Sequence, residues 1–187
     1  MDEITRILYA IEKGERVGAD QLLPLVYDDL RKLAAVRLAR ESPGHTLDAT
    51  ALVHEAYLRI IGPRDSAGWE GRGHFFAAAA EAMRRILVEN ARRKRTEKHG
   101  GNRVRRDLDL AAPAVPEDSD DLLALDEALN KLNAADPSAA RLVTLRYFTG
   151  LTIPQAAEML QVSPRSADRL WAYARAFLHA EIYEKDQ

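Results

Sequence analysis

Few side chains in this 187-residue sequence are spaced for bond-making chemistry. His54-Glu55 opens like a zinc-protease helix, in which a second histidine four residues on completes the metal pair, but position 58 is Leu. His45, His74, His99 and His179 show no ligand spacing, and no Ser-His-Asp grouping is apparent. The loop "GWEGRGH" lacks the lysine and hydroxyl that a phosphate-cradling loop needs. The expectation is therefore a protein that is not an enzyme and needs no metal or cofactor. What the residues are equipped for is recognition of nucleic acid. Residues 151–182 read as two helices joined by a tight turn, the first over Ile153 to Leu160 and the second running to about Tyr183. Pro154 is tolerated in a first turn, where N–H groups lack partners, and Ser163-Pro164 is a good N-cap and first helical residue. In a helix-turn-helix the start of the second helix meets base edges in the major groove. Arg165, Ser166, Asp168 and Arg169 are the polar residues there, while Ala167, Leu170, Trp171 and Ala174 would pack inward.

A second basic feature lies upstream. Residues 84–106 carry ten Lys or Arg against two Glu, and residues 107–127 carry eight Asp or Glu and no base. The whole chain has a net charge of only −2, so the average conceals two blocks of +8 and −8. The basic block suits phosphates. Adjacent blocks of opposite sign suggest separate partners rather than mutual neutralisation. The acidic block, with Pro113 and Pro116, reads as a flexible linker.

These residues must be held by helices. Alanine and leucine dominate and aromatic content is 6%, which favours helix over strand. Helices are expected over Ile4 to Lys13, Ala19 to Arg40, Ala49 to Ile61 and Phe75 to Lys98, with breaks at Gly14, Pro43-Gly44 and Gly62-Pro63. The expected fold is all-α: a helical bundle over residues 1–97, a linker over 98–120, and a helix-turn-helix domain over 121–187. Zero cysteines excludes disulfides and thiolate metal sites and fits a reducing cytoplasm. No apolar run reaches the roughly 20 residues that span a bilayer, and the first residues do not resemble a signal peptide. A soluble, cytoplasmic protein without membrane insertion is expected.

The order of "DATALVHEAYLRI", "WEGRGHFFAAAAEAMRRILVENARRKR", an acidic linker and a terminal helix-turn-helix resembles the extracytoplasmic-function (ECF, group 4) sigma factors of the sigma-70 family. The likeness covers nearly the whole chain. It implies a dissociable initiation subunit that binds core RNA polymerase and promoter DNA. Region 2, residues 1–97, would hold the β′ clamp helices and melt the −10 element; region 4, residues 121–187, would hold the β flap and read the −35 element. The resemblance places Arg165, Ser166 and Arg169 at the −35 major groove. It places Arg84, Arg85, Arg92, Arg93, Lys94 and Arg95 along −10 phosphates, with Trp69, Phe75 and Phe76 as candidate stacking surfaces. Where relatives carry a tryptophan and an asparagine on the long helix, this chain has Ala78 and Arg85. Asp168 replaces a frequent lysine and is expected to pair with Arg165 or Arg169.

The polymerase-facing surface implied by the resemblance contains Asp48, Thr50, His54 and Glu55. Many relatives have a D-A-E-D cluster at the start of this helix, whereas here the four residues are Asp48, Ala49, Thr50 and Ala51. Losing two carboxylates weakens attraction to a positively charged partner. Phosphorylation of Thr50 would restore about −1.5 to −2 charges at a helix N-terminus. A Ser/Thr kinase acting on Thr50, with Thr46 as the alternative, is one expected control; an anti-sigma factor is another. Thr50 as a simple helix cap is the competing reading. A stand-alone regulator or an interaction adaptor would act without core polymerase, and neither explains both basic surfaces.

Overall fold

The computed structural model describes residues 3–15, 17–38, 48–61, 69, 71–97 and 119–184. Among these, the chain forms eight α-helices and a terminal π-helical turn, with no strand. They are α1 (Glu3–Glu12), α2 (Val17–Leu38), α3 (Ala49–Ile61), α4 (Arg72–Glu97), α5 (Ser119–Ala135), α6 (Pro137–Thr149), α7 (Ile153–Met159) and α8 (Pro164–His179), followed by the turn Ala180–Glu184. The linker expected over residues 98–120 lies mostly outside the described residues, as does Thr46.

Local chemistry explains where the helices begin and end. Gly14, at φ 82°, closes α1: the Glu15 N–H donates to Ala10 O and the Gly14 N–H to Ile11 O, the paired bonds of a Schellman stop. Asp48, not Thr50, caps α3, because its Oδ1 accepts from the Ala51 N–H at 2.7 Å. Asp136 caps α6 by accepting from the Ser138 and Ala139 N–H groups, and Pro137 follows in the first turn. At the other end Gly150, at φ 70°, adopts the left-handed conformation that a residue with a Cβ avoids.

Burial follows the helical period. On α2, Leu22, Val26, Leu30 and Ala34 recur every four residues and are fully buried. Each such Leu or Val contributes roughly 1.5–3 kcal/mol relative to an exposed position. Helix α4 is central, with α3 on one side and α5 and α6 on another. Its Phe75, Phe76, Ala79, Ala80, Met83, Ile86 and Leu87 are therefore buried around much of its circumference. One continuous hydrophobic core joins α1–α4 to α5–α8. Tyr57 of α3 lies in it, and burial first, then the Asp20 charge, push its phenol up to about 12 against a backbone hydrogen bond at Leu23.

Candidate nucleic-acid interface

Two caps set the helix-turn-helix. Thr152 and Gln155 form a capping box at the start of α7, in which the Gln155 N–H donates to Thr152 Oγ1 and the Thr152 N–H donates to Gln155 Oε1 at 2.9 Å. At α8, Ser163 Oγ accepts from the Ser166 N–H at 3.1 Å. Between them Gln161 takes φ 54°, a left-handed conformation in a residue that carries a Cβ. Ala167, Trp171 and Ala174 are buried and Leu170 is partly so, as the pattern predicts. Trp171 is held by α6: the Arg146 guanidinium carbon lies 4.6 Å from the ring centre while Arg146 Nη1 donates to Leu151 O at 3.2 Å.

The opposite face of α8 presents Arg165, Asp168 and Arg169 to solvent, with Ser166 half-buried against the cap. The expected pairing of Asp168 is not formed. Among the described residues no ion pair joins it to Arg165 or Arg169, because neighbours one apart diverge around a helix and Arg preceding an acid is the weaker order at short spacing. The exposed stripe continues to Arg175, which sequence reasoning missed; its position seven residues after Asp168, close to two turns, was the available signal.

The basic end of α4 is occupied differently from expectation. Arg84 is buried, and its Nη2 lies 3.1 Å from Asp126 Oδ1 and donates to Asn130 Oδ1 at 2.7 Å, both on α5. Arg92 reaches Asp126 Oδ2 at 3.4 Å, and Arg95 lies 3.9 Å from Asp120. Arg85 stays exposed and pairs with Glu81 at 3.1 Å, while Arg93 donates to Asn90. Lys94 is half-buried in the last turn of the helix. The two opposite charge blocks thus neutralise one another in part, contrary to the expectation of separate partners, because packing α5 on α4 brings them within ion-pair distance. A cavity of about 300 Å³ lies beside these contacts, lined by Ala78, Glu81, Arg84 and Arg85 of α4 and by Asn130 and Arg141 from the helices packed on it.

The aromatic candidates face inward. Phe75 and Phe76 are core residues, and Trp69 is 8% exposed with its ring 5.7 Å from Phe75 and 5.6 Å from His74.

The start of α3 is exposed at Asp48, Thr50 and His54. Tyr27 Oη lies 3.5 Å from Thr50 Oγ1, and its ring meets His54 edge-on at 5.9 Å. Glu55 is drawn to Arg59 at 2.9 Å, and Arg59 also binds Glu89 of α4 at 2.8 Å. The hydrogen bond to Glu89 raises the Arg59 guanidinium above its usual range and, in return, holds the Glu89 carboxyl below its own.

Among the described residues no cluster of side chains is suited to a metal ion, and no helix is long and apolar enough to cross a membrane. A family model described as ECF sigma factor matches residues 1–184. A comparison with curated proteins finds no match.

Proposed function

The chain belongs to the ECF sigma factor family, whose members act in transcription initiation with RNA polymerase, and on that premise we propose how its residues divide the work. Residues 1–97 form the polymerase-binding and −10 module, residues 121–187 the −35 module, and residues 98–120 the connection between them. The observation that carries this reading is the doubly capped α7–α8 pair, which presents Arg165 and Arg169 on the exposed face at the start of α8. Arg165, Ser166 and Arg169 read the −35 element; an Arg bidentate to guanine supplies about 1–3 kcal/mol of discrimination. Arg84, Arg85, Arg92, Arg93, Lys94 and Arg95 follow phosphates near the −10 element, and Trp69, packed on Phe75 and His74, belongs to the same −10 module. Such phosphate contacts position DNA without reading it. Asp48, Thr50, His54 and Glu55 meet the β′ clamp helices, and region 4 holds the β flap. The protein works in the cytoplasm and performs no catalysis of its own.

The charge on the polymerase-facing surface is the point of control. Asp48 is committed to the α3 cap and Glu55 to Arg59, so little free negative charge remains there. Thr50 is exposed in the first turn and its hydroxyl is not the cap. A Ser/Thr kinase adding phosphate to Thr50, with Thr46 as second choice, supplies the missing charge where the helix dipole favours it. An anti-sigma factor is the alternative control.

Run-off transcription with purified core polymerase tests both parts. Defined transcripts only when this protein is added support the initiation reading; tight sequence-specific DNA binding without polymerase, and no transcripts, refutes it. Activity greater for Thr50→Glu than for Thr50→Ala supports the switch. Equal, full activity of the two, with no phosphate in mass spectra from the native host, removes it.

A further inference from the structure

Part of the α4 surface that would follow promoter phosphates, Arg84 and Arg92, is the surface on which α5 sits. We infer that Asp126 is a built-in phosphate mimic, and that the C-terminal half docks on α4 through it to form a closed, self-masked state of the factor. This inference rests on the function proposed above and adds a mode of regulation to the same site.

Three separate observations support a docking that is encoded rather than incidental. The first is electrostatic. Asp126 receives Arg84 and Arg92 at 3.1 and 3.4 Å, and the side chains of Arg84 and Asp126 are each 7% exposed. A carboxylate between two guanidinium groups offers the same charge-assisted acceptors as a DNA phosphate, so the two compete for the same arginines. The second is steric. Gly73 sits in the first turn of α4, and a Cβ built there would lie 2.1 Å from the Met159 carbonyl oxygen at the end of α7. Only glycine permits that approach between backbones of the two halves. Helix α4 itself would be better served by alanine, which marks Gly73 as serving the docking and not the helix. The third is the seat of α6 on α2, where Arg37 is fully buried with its guanidinium carbon 5.3 Å from the Tyr147 ring centre and 5.4 Å from that of Phe148. Of the charged side chains that line the cavity beside the contact, Arg84 is turned to Asp126 and Arg85 to Glu81, which leaves Arg141 on its far wall. Opening the contact would widen access to half-buried Ala78 in the cavity wall, whereas Arg85 is exposed already.

Because the closed form buries Arg84 and ties Arg92, which stays exposed, to Asp126, DNA must displace that carboxylate, and only the open fraction binds at full strength. If that fraction is about one tenth, apparent affinity falls about tenfold. The chain has no cysteine, so labels placed at exposed Glu12 of α1 and Ala172 of α8 report one distance by pulsed electron spin resonance on the full-length protein. Expected is a single narrow distribution for the native sequence, and broad, longer ones for Gly73→Ala and for Asp126→Asn, with helical content retained by circular dichroism. With limiting core polymerase, both variants should then give about tenfold more run-off transcript. A broad distribution in the native protein, or a narrow one in Gly73→Ala, overturns the latch. Opened variants whose run-off equals that of the native protein overturn its masking role. Run-off absent from every variant, opened ones included, overturns the initiation reading and the masking role together, while the distance shift would still separate that failure from a failure of the docking itself.

Discussion

Arg37 of α2 is completely buried against Tyr147 of α6, its guanidinium carbon 5.3 Å from the ring centre, and the neighbouring Phe148 ring lies at 5.4 Å. A desolvated cation against aromatic rings is worth about 2 kcal/mol or more, and the flat guanidinium stacks as an ammonium does not. Arg37→Lys should therefore lower unfolding stability by about 1–2 kcal/mol and Arg37→Ala by more, since truncation also leaves a cavity. Urea denaturation followed by circular dichroism measures both. A midpoint unchanged in Arg37→Lys would show that charge alone suffices at this seat.

The recognition residues should behave in two distinct ways. Arg169→Ala is expected to cost about 1–3 kcal/mol at one base step of the −35 element and to relax specificity there. Arg93→Ala should weaken binding to all sequences alike and reduce the steepness of the salt dependence by about one phosphate contact. Competition between promoter variants across a salt series separates them, and a uniform loss in Arg169→Ala would reassign that arginine to the backbone.

Helix ends make a local prediction independent of function. Asp136→Ala removes the acceptor for the Ser138 and Ala139 N–H groups and should cost about 1 kcal/mol, or roughly 2–4 °C in Tm for a chain of this size. Gln161→Gly should act in the opposite sense, since the φ of 54° suits glycine. Calorimetric scans of the two variants would be expected to move in opposite directions.

The Arg59–Glu89 pair gives a pH dependence of known sign. The Glu89 carboxyl is held below its usual range, so its contribution to stability is fully present above the unfolded carboxylate pKa of about 4.3 and is lost as pH falls through the lower, folded value. Both side chains are more than a third exposed, which limits the contribution to about 0–1 kcal/mol. Glu89→Gln should flatten the acid limb of the stability curve and change little at pH 7. An equally steep acid limb in that variant would assign the effect to other carboxylates.

Elements with local punctuation were legible in the chain. The helix Ala49–Ile61 has the expected bounds, and α7 and α8 start where Pro154 and Ser163-Pro164 place them, because caps and breakers act within one turn. Asp136-Pro137 and Gly150 carry the same kind of signal at the two ends of α6. The period of α4 does not say which side is buried, because the helix is surrounded.

By itself, then, the amino-acid sequence determined the all-α class, the helix-turn-helix with its exposed arginines, and the likeness to a family whose model spans residues 1–184. All of these rest on residue types within a few turns of one another, or on their order along the chain. Only the tertiary structure decided that Arg84 faces Asp126, that Trp69 is covered, and that Gly73 meets Met159. Those contacts join residues dozens of positions apart, and no periodicity or cap encodes which helix lies across which. That choice belongs to the packing of eight amphipathic surfaces at once.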